Sequence, residues 1–455
     1  MEIKHQVIVV GAGPAGLNAA KYAANAGCDV ALIDSGKRLG GQYWRHSGVD
    51  ELDRKLHHNF DAGSLLMDAV RANPHITIYS DTSIWSASIV DNQIVLRTKS
   101  GVFLTERLIL ATGAYDRVIP FPGWDIPGVM TAGAAQALLK GSGVLAGERI
   151  MIAGTGPFLL PVAASLASEG SRIVRISEAS GVLAWLPQLH VLLRNPSKIL
   201  EAISYFSILR RNGVSIRNRE AVVAARANES GVLESVTVAK IDSNFKILST
   251  HEIECDVAAI SWGFSTDIAL ASSLGLKASA AKDGSLFIST DEDQLASTKE
   301  KSYKIFAAGE LTGVGGSDLA LIEGAIAGLA ATSAKSDKRR LFKVRKKLRR
   351  FAGSLHHVYR VPLGWKEWLT PETVICRCEE VDYGTIVHAK NQLSATDART
   401  VKLMTRCGMG MCQGKMCSRN ISDLLGSSDG DRIRGSERPI ITPITLGELA
   451  QEGLL

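Results

Sequence analysis

The chain has 455 residues, 45% hydrophobic and 22% charged, with a formal net charge of +6. That is room for two or three domains with ample core in an ordinary soluble composition. No apolar run reaches the length of a membrane span. The start MEIKHQ leads into a strand without a signal-peptide core, so a cytoplasmic location is expected. The charge is concentrated: residues 335–351 hold ten Lys or Arg and one Asp, +9, leaving about −3 for the rest. This excludes a nucleic-acid-binding surface spread over the molecule.

The opening stretch organises the chain. A strand over Gln6 to Val10 runs into Gly11-Ala12-Gly13-Pro14-Ala15-Gly16. An Ala-rich helix to about Ala26 follows, then a strand from Val30 to Ile33 ending in Asp34. In this strand–turn–helix–strand context GxGxxG is a dinucleotide fingerprint. Gly11 allows the tight turn, Gly13 lets the backbone approach a pyrophosphate, and Gly16 lets helix and strand pack. The helix N-terminus offers free N–H groups and positive dipole to phosphates. Asp34 can accept hydrogen bonds from a ribose diol.

Gly40-Gly41-Gln42 would let the next loop pass close to a cofactor, and Arg38 could meet a phosphate or simply carry surface charge. Residues 50–72 read as helix. Thr77 to Tyr79, Ser83 to Val90, Gln93 to Thr98 and Val102 to Leu104 read as short strands. A buried strand from Leu108 to Ala111 ends at Thr112-Gly113, and proline-rich residues leave it, marking a domain crossing.

These motifs together resemble the flavoproteins with two dinucleotide-binding domains, the thioredoxin reductase and ferredoxin reductase group, over about residues 1–335. The resemblance implies FAD at the first fingerprint. It implies cofactor contacts from Gly11, Gly13, Gly16, Asp34, Arg38, Gly41, Gln42, Ile84, Thr112 and Gly113.

Residues 148–178 repeat the opening: strand Arg149 to Ala153, Gly154-Thr155-Gly156, a helix, strand Arg172 to Ile176, then Glu178. Leu159 stands at the third glycine position and should push helix and strand apart or tilt the helix. This speaks against nicotinamide binding, leaving an adenine nucleotide or an empty site. The domain has no Cys-x-x-Cys, which excludes thioredoxin-reductase-type disulfide chemistry. Strands near Val214–Ile216, Val232–Ile241 and Glu252–Ala259 should finish it. The strand Ile305 to Ala308 then leads to Gly309-Glu310. The resemblance implies a carboxylate here on the flavin's ribityl hydroxyl, with Glu310 one methylene longer than the family's usual Asp. The helix beginning near Asp318 would aim its positive end at the flavin's pyrimidine edge, favouring a reduced, anionic flavin.

Leu341, Val344, Leu348 and Phe351 give the basic stretch an amphipathic stripe. It reads as a linker helix docked by that stripe with a solvated charged face. Contact with an anionic membrane surface or an acidic partner is the alternative.

Five of the seven cysteines lie within 42 residues: Cys376, Cys378, Cys407, Cys412 and Cys417. In a cytosolic chain such crowding favours metal over disulfides. Two close pairs on separate loops can hold two irons, and Gly408, Gly410 and Gly414 free the backbone to bend around them. Four thiolates also suit zinc. Cys28 and Cys255 read as core. His5, His57, His58, His356 and His357 have no nucleophile or metal spacing. Tyr43, Trp44, Trp365 and Trp368 read as packing residues.

The run CRCEEV, then TRCGMGMCQGKMC, then RPIITPITLGELA resembles two things. One is the bacterioferritin-associated-ferredoxin-like 2Fe–2S domain. The other, over nearly the whole chain, is the α subunit of multi-subunit amine and amino-acid dehydrogenases. That group includes opine oxidase, hydrogen cyanide synthase, D-hydroxyproline dehydrogenase and dye-linked L-proline dehydrogenase. The resemblance implies cluster ligands Cys376, Cys378, Cys412 and Cys417, with Cys407 spare. It implies an α/β fold of two Rossmann-like domains plus a small iron–sulfur domain. The expected divisions are 1–123, 124–262, 263–335, 336–369 and 370–455. It also implies a β subunit of the D-amino-acid-oxidase type that oxidises the substrate, an FMN at the interface between the two and a small ferredoxin-like subunit. A stand-alone NAD(P)H-dependent reductase is the alternative.

Overall fold

The structure, a computed structural model, describes residues 2–57, 59–281, 283–297, 302–332, 337–434, 438 and 440–451. His58 and residues 335 and 336 of the basic stretch lie outside these. The described chain packs as two units. One takes Met1–Tyr115, Ser265–Ala352 and the described part of the C-terminal tail; the other takes Asp116–Phe264 and Gly353–Gly435. No helix among the described residues is long and apolar enough to cross a membrane.

The first unit is built on a five-stranded sheet in the order Lys304–Ala307, Arg107–Leu110, Val7–Val10, Val30–Ile33, Ile76–Tyr79. Every neighbouring pair is parallel, with Val7 opposite Val30 and Ile8 opposite Leu108. Parallel sheets are covered on both faces, which is why these strands read as unbroken apolar runs. The helix Pro14–Asn25 carries Pro at its start, where the missing N–H costs nothing. It lies against the helix Ser317–Ala330 almost backbone to backbone. A Cβ on Gly324 would sit 2.1 Å from the carbonyl oxygen of Ala15, and one on Gly328 2.4 Å from that of Ala19. Because Ala15 meets Gly324 and Ala19 meets Gly328, the two helices run parallel. Both N-termini therefore reach the same edge of the sheet. A separate four-stranded sheet, Glu2–Lys4, Gly101–Thr105, Gln93–Thr98 and Ile84–Val90, and a two-stranded one, Ala278–Ala280 with Leu286–Ile288, also belong to this unit.

The second unit repeats the plan. Its parallel sheet runs Val129–Thr131, Val257–Ser261, Arg149–Gly154, Arg172–Glu178, Ile216–Asn218. An antiparallel ribbon of Glu220–Ala227, Leu233–Ile241 and Ile247–Glu254 packs with it. The expected single strand over Glu252–Ala259 is two strands. They part at Cys255-Asp256, where the Asp256 carboxylate accepts the N–H groups of Glu148 and Arg149. That bond turns the chain from the ribbon into the sheet. The strand Glu220–Ala227 was not anticipated. The expected helix over 50–72 is likewise two, Asp50–Leu56 and Phe60–Arg71. His57 is extended between them, with its Nε2 2.7 Å from the Arg45 carbonyl.

The basic helix spans Arg339–Val358. Beyond it Val361, Trp365 and Trp368 enter the core of the second unit, where Trp368 stacks on Phe245 at 5.8 Å. The segment from Leu369 to Arg434 packs in one unit with the second dinucleotide fold. Its short helices Tyr383–Gln392 and Ala398–Thr405 start at Asp382 and Asp397, whose carboxylates accept the N–H groups of Thr385 and Thr400.

Candidate functional site

At the carboxyl edge of the first sheet five loops meet. Gly11 has φ +103°, and a Cβ there would stand 2.2 Å from the Ala111 carbonyl oxygen. A Cβ on Gly16 would stand 1.7 Å from the Gly11 oxygen, and one on Gly41 2.7 Å from the Cα of Gly13. A Cβ on Gly309 would stand 2.8 Å from that of Ala15. A Cβ on Gly13 would meet nothing nearer than the Cα of Gly41, at 4.0 Å. Backbone thus replaces side chain all round the turn, leaving an approach over Gly13 of the kind a pyrophosphate needs. Thr112 donates to the Asp267 carbonyl at 2.7 Å and Gly113 has φ +77°.

Asp34 holds this turn. Its carboxylate accepts the N–H groups of Ala12 and of Gly36, the latter at 2.6 Å. A carboxylate has about four lone-pair sites, so a ribose diol can still be accommodated. Arg38 and Gln42 are exposed. Arg38 donates to the His46 carbonyl at 3.0 Å and Gln42 accepts from Arg45 at 2.7 Å. Ile84 is buried, pairs with Thr98, and its carbonyl accepts the Thr442 hydroxyl. Thr82, two residues before Ile84, donates its N–H to the Asp34 carbonyl.

Glu310 accepts from the N–H groups of Gly315 and Gly316 at 3.0 and 2.7 Å, so its carboxylate shapes the loop before the helix Ser317–Ala330. Burial raises its pKa. Sequence reasoning missed the two residues that complete this corner. Glu323, 1% exposed, accepts from Gly309 N–H at 3.1 Å and the Thr312 hydroxyl at 2.8 Å. Arg349, from the basic helix, pairs with Glu323 at 2.6 Å and donates to the Gly313 carbonyl at 2.9 Å. A lone acid in the apolar run LALIEGAIAGLA was the available signal for Glu323. Arg345 donates to the Glu292 carbonyl and to Gln294, and Lys338 pairs with Asp293. The expected solvated face of the basic helix is thus partly engaged, because acceptors in the unit meet its cations.

In the second unit Gly154 and Gly156 have φ +128° and +112°. The helix begins only at Leu159, whereas the first begins at Pro14 directly after Gly13. Leu159 is 1% exposed and fills the space a third glycine would leave open. The helix therefore starts two residues later than its counterpart, after a turn in which the Leu159 and Leu160 N–H groups donate to the Gly156 and Pro157 carbonyls. Glu178 accepts from Gly156 N–H at 3.0 Å, the Thr155 hydroxyl at 2.7 Å and Ser180 N–H at 2.9 Å. Burial outweighs those bonds and pushes its carboxyl up to about 7. A carboxyl raised on folding favours the protonated native state. Its contribution is complete below the ordinary glutamate range and is lost as pH rises through about 7. Between about pH 5 and pH 8 the second unit should lose on the order of 3 kcal/mol in urea denaturation. Glu178→Gln should flatten that dependence.

The cysteines converge within the second unit. The sulfurs of Cys376, Cys407 and Cys417 all lie within 4.8 Å of one another, and all three residues are buried. Their mutual hydrogen bonds draw the Cys376 thiol far below its usual range and push those of Cys407 and Cys417 above it. Cys378, exposed, hydrogen-bonds the backbone and thiol of Cys412. The sulfurs thus group as three and two across the loops. Gly408 N–H donates to the Cys376 sulfur at 3.5 Å. A Cβ on Gly410 would lie 2.2 Å from that of Cys378, so only glycine lets these loops close. Arg377 stacks its guanidinium 5.0 Å over Trp124, whose indole donates to the Val374 carbonyl, fixing the Cys376–Cys378 loop on the dinucleotide fold. Convergent soft sulfur donors with N–H groups aimed at them fit a bound iron–sulfur cluster. Cys28 and Cys255 are buried core residues, and burial pushes the Cys255 thiol up to about 12.

Residues 5–329 match the family model described as pyridine nucleotide-disulphide oxidoreductase. The chain belongs to that family. Residues 374–427 match a BFD-like 2Fe-2S binding domain. The two matches imply FAD and a 2Fe–2S cluster, and the glycine cradle and thiol cluster fit them. The chain is 30% identical over 455 residues to hydrogen cyanide synthase subunit HcnB of Pseudomonas protegens, covering 95% of this chain and 94% of that one. It is 30% identical over 466 residues to an opine oxidase subunit of Rhizobium meliloti, covering 97% and 98%. Among solved structures, L-proline dehydrogenase from P. horikoshii superposes with TM-score 0.70 at 21% identity, over 98% of this chain and 80% of that one. This last likeness shows the fold. The chain is a flavoprotein oxidoreductase whose relatives are subunits of multi-subunit enzymes.

Proposed function

We propose that this family member is the electron-transfer α subunit of a hetero-oligomeric flavoprotein dehydrogenase. Its β subunit, of the D-amino-acid-oxidase type, would remove hydride from the carbon next to nitrogen in an amine, amino acid or opine, leaving an imine. The observation that carries the reading is the pairing of a glycine cradle for FAD with a buried thiol cluster in one chain. FAD supplies a two-electron station when bound, and the cluster a one-electron outlet. The protein's task is then placement and tuning. Asp34 and the glycines Gly11, Gly13, Gly16 and Gly41 hold the dinucleotide. Glu310, Glu323 and Arg349 shape the loop at the start of the helix Ser317–Ala330, whose positive end favours an electron-rich flavin. Cys376, Cys378, Cys412 and Cys417 bind the cluster.

Leu183, Leu186, Leu193 and Leu200 are each at least 66% exposed, apolar surface that a protein partner would cover. An FMN at the interface with the β subunit, a small ferredoxin-like chain and peripheral contact of the basic helix with a membrane belong to this reading. The second glycine turn, with Leu159 buried in it, suits an adenine nucleotide held for structure better than a hydride donor.

The test is reduction of the purified flavoprotein. Stoichiometric NADH should leave the flavin absorbance unchanged, while the partner subunit with its amine should bleach it. Rapid bleaching by NADH alone would replace this reading with a stand-alone NAD(P)H-dependent reductase.

A further inference from the structure

The buried side of the cluster site contains more sulfur than four-ligand binding requires. Two thiolates on one tetrahedral metal at about 2.3 Å stand about 3.8 Å apart. The sulfurs of Cys376, Cys407 and Cys417 lie within 4.8 Å of one another, so any two of them can meet the same iron with sub-ångström adjustment. All three are carried on anchored backbone. Cys376 ends a strand paired with Val381-Asp382. Cys407 follows the helix Ala398–Thr405, and its N–H is held by the Thr405 hydroxyl. Cys417 precedes the helix Ser418–Leu425 and accepts the first N–H of that helix's ladder, from Ile421, on its carbonyl. Cys407 is 1% exposed, so no solvent contact or surface reactivity explains a thiol there. The outer pair is different: Cys378 is exposed, Cys412 half-buried, and the thiol contact made by Cys378 is with Cys412.

We propose that Cys407 is an interchangeable ligand of the inner iron: the inner iron takes two of Cys376, Cys407 and Cys417, and Cys407 replaces Cys417 when that thiol is lost. This rests on the 2Fe–2S reading of the domain, and it is specific to the inner iron. The exchange breaks one iron–thiolate bond and forms another; the incoming thiol gives up its proton to solvent or to the departing sulfur, and no electron is transferred.

The experiment uses the full chain, reconstituted anaerobically with iron and sulfide, and reads iron content, the electron spin resonance signal of the reduced cluster and bound FAD. Cys417→Ala and Cys407→Ala should each keep about two irons per chain, the first with shifted g values. The double variant should lose the signal at least about tenfold while keeping FAD, which reports a folded first unit. Cys417→Ser, which keeps side-chain volume, is the companion for the case in which the alanine variant folds poorly. Loss of the cluster in Cys417→Ser with FAD retained overturns the proposal. So does a cluster retained in the double variant, which would place the ligands elsewhere. Loss of iron from the wild-type chain would instead overturn the 2Fe–2S reading itself.

Discussion

Cys412→Ser removes the electron spin resonance signal of the reduced cluster and leaves FAD bound. Cys412 belongs to the outer pair, where its thiol meets Cys378 and the three inner sulfurs are grouped among themselves. A serine oxygen there is a harder and poorer ligand for iron than thiolate. The outer iron would be left with one protein sulfur. The fall should be at least about tenfold, and iron content should drop with it. FAD should stay because the glycine cradle lies in the other packing unit, with its own core of Val7, Val9, Leu17, Val30 and Ile109. An unchanged signal would remove Cys412 from the ligand set. Loss of FAD and iron together would mean that the substitution unfolds the chain, and the signal would then say nothing about ligation.

Gly16→Ala abolishes FAD retention. The added methyl would stand 1.7 Å from the Gly11 carbonyl oxygen and 3.4 Å from the Ala111 side chain. The first of these is backbone, so the methyl cannot be accommodated by turning a side chain. Either the helix Pro14–Asn25 lifts from the strand Val7–Val10 or the glycine turn opens. Lifting the helix also strips it from Gly324 and Gly328, which pack on Ala15 and Ala19 without room to follow. Core overpacking of this severity costs about 4–5 kcal/mol. If all of it falls on the cofactor-competent form, FAD affinity drops by about a thousandfold. Fluorescence of released flavin after gel filtration measures it. Full retention would show that the pyrophosphate turn is not built on Gly16.

Much of the first dinucleotide fold is written locally. The strands Val7–Val10 and Val30–Ile33 are continuous apolar runs because both faces of a parallel sheet are covered, and their limits follow the expected ones to within a residue. Gly11, Gly13 and Gly16 are legible because each answers a steric demand that only glycine meets. At Leu159 the expectation was that helix and strand are pushed apart or the helix is tilted; what the structure shows is a helix that starts two residues later than its counterpart, at Leu159 itself. The divided helix at 50–72 and the divided strand at 252–259 were not legible. Each break is made by a bond to a distant residue, His57 to Arg45 and Asp256 to Arg149.

By itself, then, the sequence determined the two Rossmann-like folds, the cradle glycines, Asp34 and the cysteine set, because these depend on periodicity and on residue chemistry at short spacing. Only the tertiary structure decided which sulfurs face one another. Spacing along the chain pairs Cys376 with Cys378, but Cys376 turns inward to Cys407 and Cys417 while Cys378 turns out to Cys412. The chain leaves its strand at Cys376, so the two side chains no longer share a direction. It also decided that the basic helix sends Arg349 to the buried carboxylate of Glu323. A charge so far from water needs an opposite charge beside it, and which residue supplies that charge is settled by packing across the fold.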